Sequence, residues 1–338
     1  MIVTVTANPA LDLTWHVEAL TLASTHRADT GRTRAGGKGL NVARVAHASG
    51  AAAFAVSTVG GATGEEFAAE LRDSSVPHVL VPVAGATRRS IALVDQAGGD
   101  TTIVNERGVG LEPAEWDALR DAVREALSLP VPERAQRDEG RSAGVLVISG
   151  SLPPQTPTDV LPSLIALGRD AGVSVIVDTS GPALLTAADA GASVLKPNVH
   201  ELRDATGLDD PLEGARELLR RGTELVLLSL GADGMLAISL AEDNTLSILQ
   251  ARLDAPLAGN PTGAGDAAVA ACAVLMDAGI HDPEQILRRA TAWSAAAVLM
   301  PLAGEIDASW PDLERRITVG AFSGFSPDKT ATDSEENR

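Results

Sequence analysis

The sequence predicts an α/β fold built on a mainly parallel sheet covered by helices on both faces. Three observations carry that expectation. Short runs rich in β-branched residues or leucine recur along the 338 residues, separated by alanine-rich helical stretches. The runs are continuously apolar rather than alternating, as expected of strands buried on both faces. Polar, glycine-bearing loops follow the strand ends, where ligands of such sheets gather.

Taken in order, the strands are expected at 2–6 (IVTVT), 53–58, 145–149, 173–178, 194–196 and 225–230. Helices are expected at 40–49, 65–73, 113–128, 157–171, 182–188, 211–221 and 264–278, four of them opening on a proline. Segments 13–34 and 87–104 break the rhythm: Ile91, Leu93 and Ile103 sit among polar neighbours, the pattern of strands with one exposed face. They are read as a small second sheet acting as a lid or interface. The stretch 131–142 (VPERAQRDEGRS) is read as a surface loop, and 321–338 as a disordered acidic tail.

Composition narrows the function classes. Lys and Arg total 27 against 45 Asp and Glu, a net charge of −18, which argues against a general nucleic-acid binder. Only Lys38, Lys196 and Lys329 are lysine, so each position invites a reason. Cys272 is the single cysteine, which excludes an intrachain disulfide and fits a cytoplasmic setting. No apolar run approaches the length of a membrane span, and the six histidines show no ligand-like spacing.

The candidate chemistry lies in loops at strand ends. Gly259-Asn-Pro-Thr-Gly-Ala-Gly-Asp266 runs straight into an alanine-rich helix, so backbone N–H groups there face an anion. Asp266 would repel that anion; it either takes a proton from an attacking alcohol or stabilises the helix N-terminus. The motif is neither a Walker A loop nor a dinucleotide fingerprint. Gly36-Gly37-Lys38 and Asn41 gather amides and an ammonium at the start of another helix, and Asp12 supplies a carboxylate after the first strand, suited to sugar hydroxyls or to a turn cap. Asn198 and Glu201 either orient a hydrated divalent cation or form a capping box. Ser229 to Gly234 is a glycine loop at another strand end, and Arg27, Arg88 and Arg89 lie in the lid-like segments, where a guanidinium either grips phosphate bidentately or is solvated at the surface.

Together, NPALDLT (8–14), GGKGLNVAR (36–44), STVGGATGEEF (57–67), TR (87–88), VISGSLPP (147–154), VDTSGPAL (177–184), KPNVHEL (196–202), LSLGADG (228–234) and NPTGAGDA (260–267) resemble the PfkB family of ribokinase-like carbohydrate kinases. The resemblance is to the branch holding 1-phosphofructokinase and tagatose-6-phosphate kinase, which the GGKG form favours over the minor 6-phosphofructokinase. It implies a ribokinase-like three-layer sandwich over 1–320 with a β-sheet lid, ATP as phosphoryl donor, Mg²⁺ as cofactor and a homodimer formed through the lid. By resemblance Asp266 is the catalytic base, and the amides of Gly263, Ala264 and Gly265 form the anion hole. Asp12, Gly36, Gly37, Lys38, Asn41 and Ser151 fall on the acceptor side. Arg88 clamps the acceptor's own phosphate, and Arg27 reaches it across the dimer. Lys196, Asn198, Glu201, Ser229, Gly231 and Gly234 fall on the ATP side, with Glu201 and Asn198 holding Mg²⁺ through water.

The implied activity is phosphorylation of a ketohexose phosphate, fructose 1-phosphate first. Tagatose 6-phosphate, fructose 6-phosphate or a free hexose are the alternatives, and a catalytically silent sugar-phosphate binder is the non-enzyme reading. The departures lie near the ligands: Ala267 stands where relatives commonly carry Ser, Arg89-Ser90 replaces the usual residues after Thr87-Arg88, and His200 stands where a nucleotide-touching lysine can occur.

Overall fold

The computed structural model describes residues 1–130, 144–255 and 257–324. In chain order the strands are β1 (Ile2–Thr6), β2 (Ala10–Val17), β3 (Arg32–Gly36), β4 (Ala53–Val59), β5 (His78–Pro82), β6 (Arg88–Asp95), β7 (Thr101–Asn105), β8 (Val145–Ser149), β9 (Ser174–Asp178), β10 (Val194–Leu195), β11 (Leu225–Ser229), β12 (Met235–Leu240), β13 (Leu246–Arg252) and β14 (Thr318–Ala321). The helices are α1 (Lys38–Ala48), α2 (Gly61–Asp73), α3 (Pro113–Ser128), α4 (Val160–Asp170), α5 (Pro182–Asp189), α6 (Val199–Thr206), α7 (Pro211–Arg221), α8 (Ala264–Asp277), α9 (Pro283–Val298) and α10 (Trp310–Arg316).

Ten strands make one sheet, ordered β14-β13-β12-β11-β10-β9-β8-β1-β4-β5. From β11 to β5 every neighbouring pair is parallel, and β12 to β14 add an antiparallel edge. Both faces are covered, as the continuous apolar runs require. In β1, Val3 and Val5 enter the core beneath α3, α4, α5 and α7, whereas Ile2 enters the core beneath α1, α8 and α9. Helix α8 is central: every residue from Ala267 to Cys272 is buried, because small side chains let its neighbours pack closely.

The expected lid is present as a four-stranded sheet ordered β3-β2-β6-β7. Its strands occupy only the ends of segment 13–34; residues 18–31 are a connection. Register sets the working face of the lid. Ala10 pairs with Arg88 and Asp12 with Ser90, so these four side chains project to one side, towards the main sheet's ligand edge.

Several elements go beyond the sequence expectation. Strands β5, β12, β13 and β14 were not anticipated, and neither were α9 and α10. The half-exposed β5 and β13 lack the unbroken apolar run of a central strand. The 3₁₀ turn Gly231–Asp233 between β11 and β12 lies within the glycine loop expected from Ser229 to Gly234. Strand β14 runs through Ala321, and the Phe322 amide donates to the Ile248 carbonyl at 3.3 Å, so the first residues assigned to the tail extend the sheet edge. The loop expected at 131–142 and the remainder of the tail from 325 lie outside the described residues. Among the described residues no helix is long and apolar enough to cross a membrane.

The topology fixes where a ligand sits. The chain passes from β1 to β4 and β5 on one side, then returns to the other side of β1 with β8 and continues through β9, β10 and β11. At the carboxyl ends of β1 and β8 the connections therefore diverge and leave a crevice.

Candidate active site

A cavity of about 1140 Å³ opens over that crevice, lined on one side by the lid and on the other by the β11–β12 turn and α9. Nearly all the residues singled out from sequence line it: Asp12, Gly37, Lys38, Asn41, Arg88, Ser151, Lys196, Asn198, Glu201, Ser229, Gly231, Gly234 and Gly263 to Asp266. Gly36 sits just behind the wall, where a Cβ would overlap the Asp12 carboxylate. Arg27 lies in the exposed 18–31 connection and does not line the cavity of its own chain. Strand alternation sends Arg88 to the cavity and leaves Arg89 exposed.

Asp266 occupies the first turn of α8 and is 5% exposed. Its Oδ2 accepts a hydrogen bond from Asn41 Nδ2 at 2.8 Å. Burial lifts its pKa to about 6 against the opposing pull of Lys38, so near pH 7 it is an ionised base of raised strength. The helix before it starts from Gly263 at φ 86°, and a Cβ there would press on Ala303. The expected anion hole needs one correction. The Ala264 amide donates to the Pro261 carbonyl at 3.1 Å within the loop, which leaves the amides of Gly263, Gly265 and Asp266 without a backbone acceptor among the described residues.

On the lid side, burial raises the Asp12 pKa to about 7, with Arg88 working against that rise and Asp266 adding to it. Arg88 donates from Nε to the Asn8 carbonyl at 3.2 Å and from Nη1 to the Glu106 carbonyl at 3.1 Å. The base of the lid is fixed by Arg44 and Glu70. The Glu70 Oε2 accepts from the Ala35 amide at 2.9 Å and from Arg44 Nη2 at 2.6 Å, just before the Gly36-Gly37 turn.

Sequence reasoning overlooked the residue that organises the other side. Asp178 ends β9, is fully buried, and stands 3.3 Å from Lys38 Nζ and 3.5 Å from Lys196 Nζ. Burial alone would raise its pKa, but the two ammonium groups outweigh burial and hold it below the usual carboxylate range. Lys38, expected on the acceptor side, is raised in turn by Asp178 and also lies 3.8 Å from Glu201. Its ammonium thus joins the Lys196 side of the cavity. The available signal was an acid closing an apolar strand inside VDTSGPAL; that two of three lysines converge on it needed the fold.

Asn198 and Glu201 do form the capping box: Asn198 Oδ1 accepts from the Glu201 amide at 2.8 Å and Glu201 Oε2 from the Asn198 amide at 3.0 Å. The box leaves the other Glu201 oxygen, Oε1, towards Lys38. His200 is exposed and Ala267 lies fully inside the core, so neither departure from the family pattern touches the cavity wall.

The packing makes one test simple. A Cβ on Gly265 would come within 3.2 Å of Lys196 Nζ, so the compact ammonium fits tightly beneath the first turn of α8. Lys196→Arg and Lys38→Arg are each expected to lower kcat/KM about tenfold or more despite conserved charge, because a guanidinium is larger and planar. Steady-state kinetics alongside a thermal melt check this, since an intact fold with unchanged kinetics contradicts it.

Comparison with known proteins agrees with this geometry. The model of the pfkB family of carbohydrate kinases matches residues 5–309. A 1-phosphofructokinase of Xanthomonas campestris is 35% identical over 302 residues, covering 86% of this chain and 89% of its own length. An ATP-dependent 6-phosphofructokinase isozyme 2 of Mycobacterium tuberculosis is 32% identical, covering 95% and 90%. Among solved structures, phosphofructokinase-2 from Escherichia coli in complex with potassium superposes with a TM-score of 0.81 at 28% identity, covering 93% of this chain and 98% of that one. A cavity joining a buried acid at a glycine-rich helix start to an arginine-bearing lid, a family match over nearly the whole chain and a shared three-layer fold lead to one conclusion: the chain belongs to the pfkB family of carbohydrate kinases.

Proposed function

We propose that the protein transfers the γ-phosphoryl group of ATP to a hydroxyl of a phosphorylated ketohexose, converting fructose 1-phosphate to fructose 1,6-bisphosphate. The observation that carries this reading is a single cavity that pairs Asp266, at the N-terminus of α8, with Arg88 and Asp12 on the lid. The Xanthomonas relative's name supports the 1-phosphate, and the Mycobacterium relative's name keeps fructose 6-phosphate as the second acceptor.

Each group then has a task. Asp12 and Asn41 hydrogen-bond the acceptor's hydroxyls and hold one of them beside Asp266, which takes its proton. The free amides of Gly263 and Gly265 face the charge that develops on the transferred group, with Lys196 and Lys38 adjacent. Ser229, Gly231 and Gly234 border the nucleotide. Magnesium fits as a cation held through water. Glu201 Oε1 and Asn198 face the cavity, and among the described residues no group of three or more His, Cys, Asp or Glu is placed to grip a metal directly. The ion would neutralise phosphate charge.

The lid also serves as a dimer interface in this reading. Leu22, Ile103 and Val104 are exposed on it, and Arg27, absent from its own chain's cavity, is available to the partner's acceptor. The protein works in the cytoplasm.

Arg88→Ala tests the phosphosugar assignment. It is expected to raise the KM for the phosphorylated acceptor by about tenfold to a hundredfold, because charge-assisted bonds to the phosphate are lost. Unchanged KM for every active acceptor would refute the assignment.

A further inference from the structure

Asn8 stands where the chain leaves β1, at the point where the connections of the main sheet diverge. The residue is only 9% exposed, and its side chain bridges that divide. Nδ2 donates to Ser151 Oγ, beyond β8, at 3.2 Å, and to the Arg107 carbonyl, beyond β7, also at 3.2 Å. Its main-chain oxygen accepts from Arg88 Nε at 3.2 Å. Gly108, at φ +85°, allows this convergence: a Cβ there would overlap Asn8 Oδ1 and lie 3.4 Å from Arg88 Cδ. One buried amide thus ties together the lid turn, Arg88 and Ser151.

The turn carries Arg107, which with Arg88 supplies the two arginines that line the main cavity among the described residues. Among the described residues no carboxylate lies within ion-pair distance of Arg107. Its neighbour Glu106 also lines the cavity and acts electrostatically on Arg88, while its Oε2 accepts from the Arg89 amide at 2.7 Å, so the negative charge beside Arg88 adds to the need for a further cation. Arg88 alone is a limited phosphate ligand, since Nε and one Nη1 hydrogen are already committed to carbonyls. A phosphate monoester brings nearly two negative charges into a chain of net charge −18. Within one chain, a further cation beside Arg88 would help meet that charge, whether or not Arg27 of a second copy reaches it as well.

We propose that Arg107 is a second cation of the subsite for the acceptor's own phosphate, with Asn8 as the positioning residue that holds its turn against Arg88 and Ser151. The inference rests on the phosphorylated-acceptor reading above. It is tested by steady-state kinetics of the full chain and of Arg107→Ala, Arg107→Lys, Asn8→Ala and Arg88→Ala, varying fructose 1-phosphate and ATP separately. Arg107→Ala should raise the acceptor KM about tenfold while kcat and the ATP KM stay within about twofold, and Arg107→Lys should recover part of the loss. Asn8→Ala should reproduce the acceptor KM rise. If that variant fails to fold, the exposed Arg107 still decides the matter. An acceptor KM unmoved by Arg107→Ala, where Arg88→Ala raises it, overturns the inference and leaves the phosphosugar reading standing; so does an equal rise in the ATP KM. If neither arginine moves it, the phosphosugar reading itself fails.

Discussion

Asp266→Asn is expected to lower kcat by about 10³-fold, with the KM for both substrates changed only a few-fold. The substitution is close to isosteric and keeps an oxygen to accept from Asn41 Nδ2, so the loss isolates the proton acceptor. The fold should not suffer. Burial raises the Asp266 pKa in the folded state to about 6, so its ionised form opposes folding. That cost begins above the unfolded value near 4 and is complete above the folded value. The amide removes it, so at pH 8 the variant should melt no lower than the parent. The same values set the acid limb of the wild-type profile. As pH falls, kcat/KM should drop first near 7, where Asp12 takes up a proton, and again near 6, where Asp266 does. A profile flat from pH 8 to 5, or an Asp266→Asn enzyme of near-parental kcat, removes Asp266 as the base.

Asp178→Ala is expected to be the most destabilising change in the site. It strips a fully buried carboxylate from between two lysines, of which Lys196 is itself buried. Removing one partner of such a cluster costs about 3 kcal/mol, measurable by urea denaturation. The sign against pH is opposite to that of Asp266. Because the folded-state pKa of Asp178 is depressed, its stabilisation is full above the unfolded value near 4 and disappears as pH falls through the folded value. The difference between parent and variant should therefore shrink in acid. With the lysines no longer anchored, kcat/KM should also fall. A variant as stable and as active as the parent shows that Asp178 does not organise Lys38 and Lys196.

What the sequence reveals and what it hides divide along physical lines. Strands β1, β4, β8, β9 and β11 are legible because burial on both faces forces unbroken apolar runs. Asp266 and the Gly263–Gly265 loop are legible because a turn into a helix leaves a local signature. Strands β13 and β14 and helix α9 carry mixed polarity because one face meets solvent, whereas β12 is buried from Met235 to Ile238 and its apolar run is too short to tell a strand from a buried helix segment. Within the site, residues acting through neighbours distant in sequence were the hardest to see. Asp178 gains its meaning from lysines at 38 and 196, and Asn8 from Ser151 and Arg107, contacts that exist only once β1, β8 and β9 lie side by side. Asn198 and Glu201 show a third case, for the capping box is observed and yet leaves one Glu201 oxygen turned to the cavity.

The most direct measurement of the central claim is ADP release from ATP with fructose 1-phosphate, tagatose 6-phosphate, fructose 6-phosphate and free fructose as separate acceptors. Turnover with fructose 1-phosphate well above the others, and with free fructose lowest, is the predicted result. Free fructose used as efficiently as the phosphorylated sugars, or no ADP released with any of them, would contradict it.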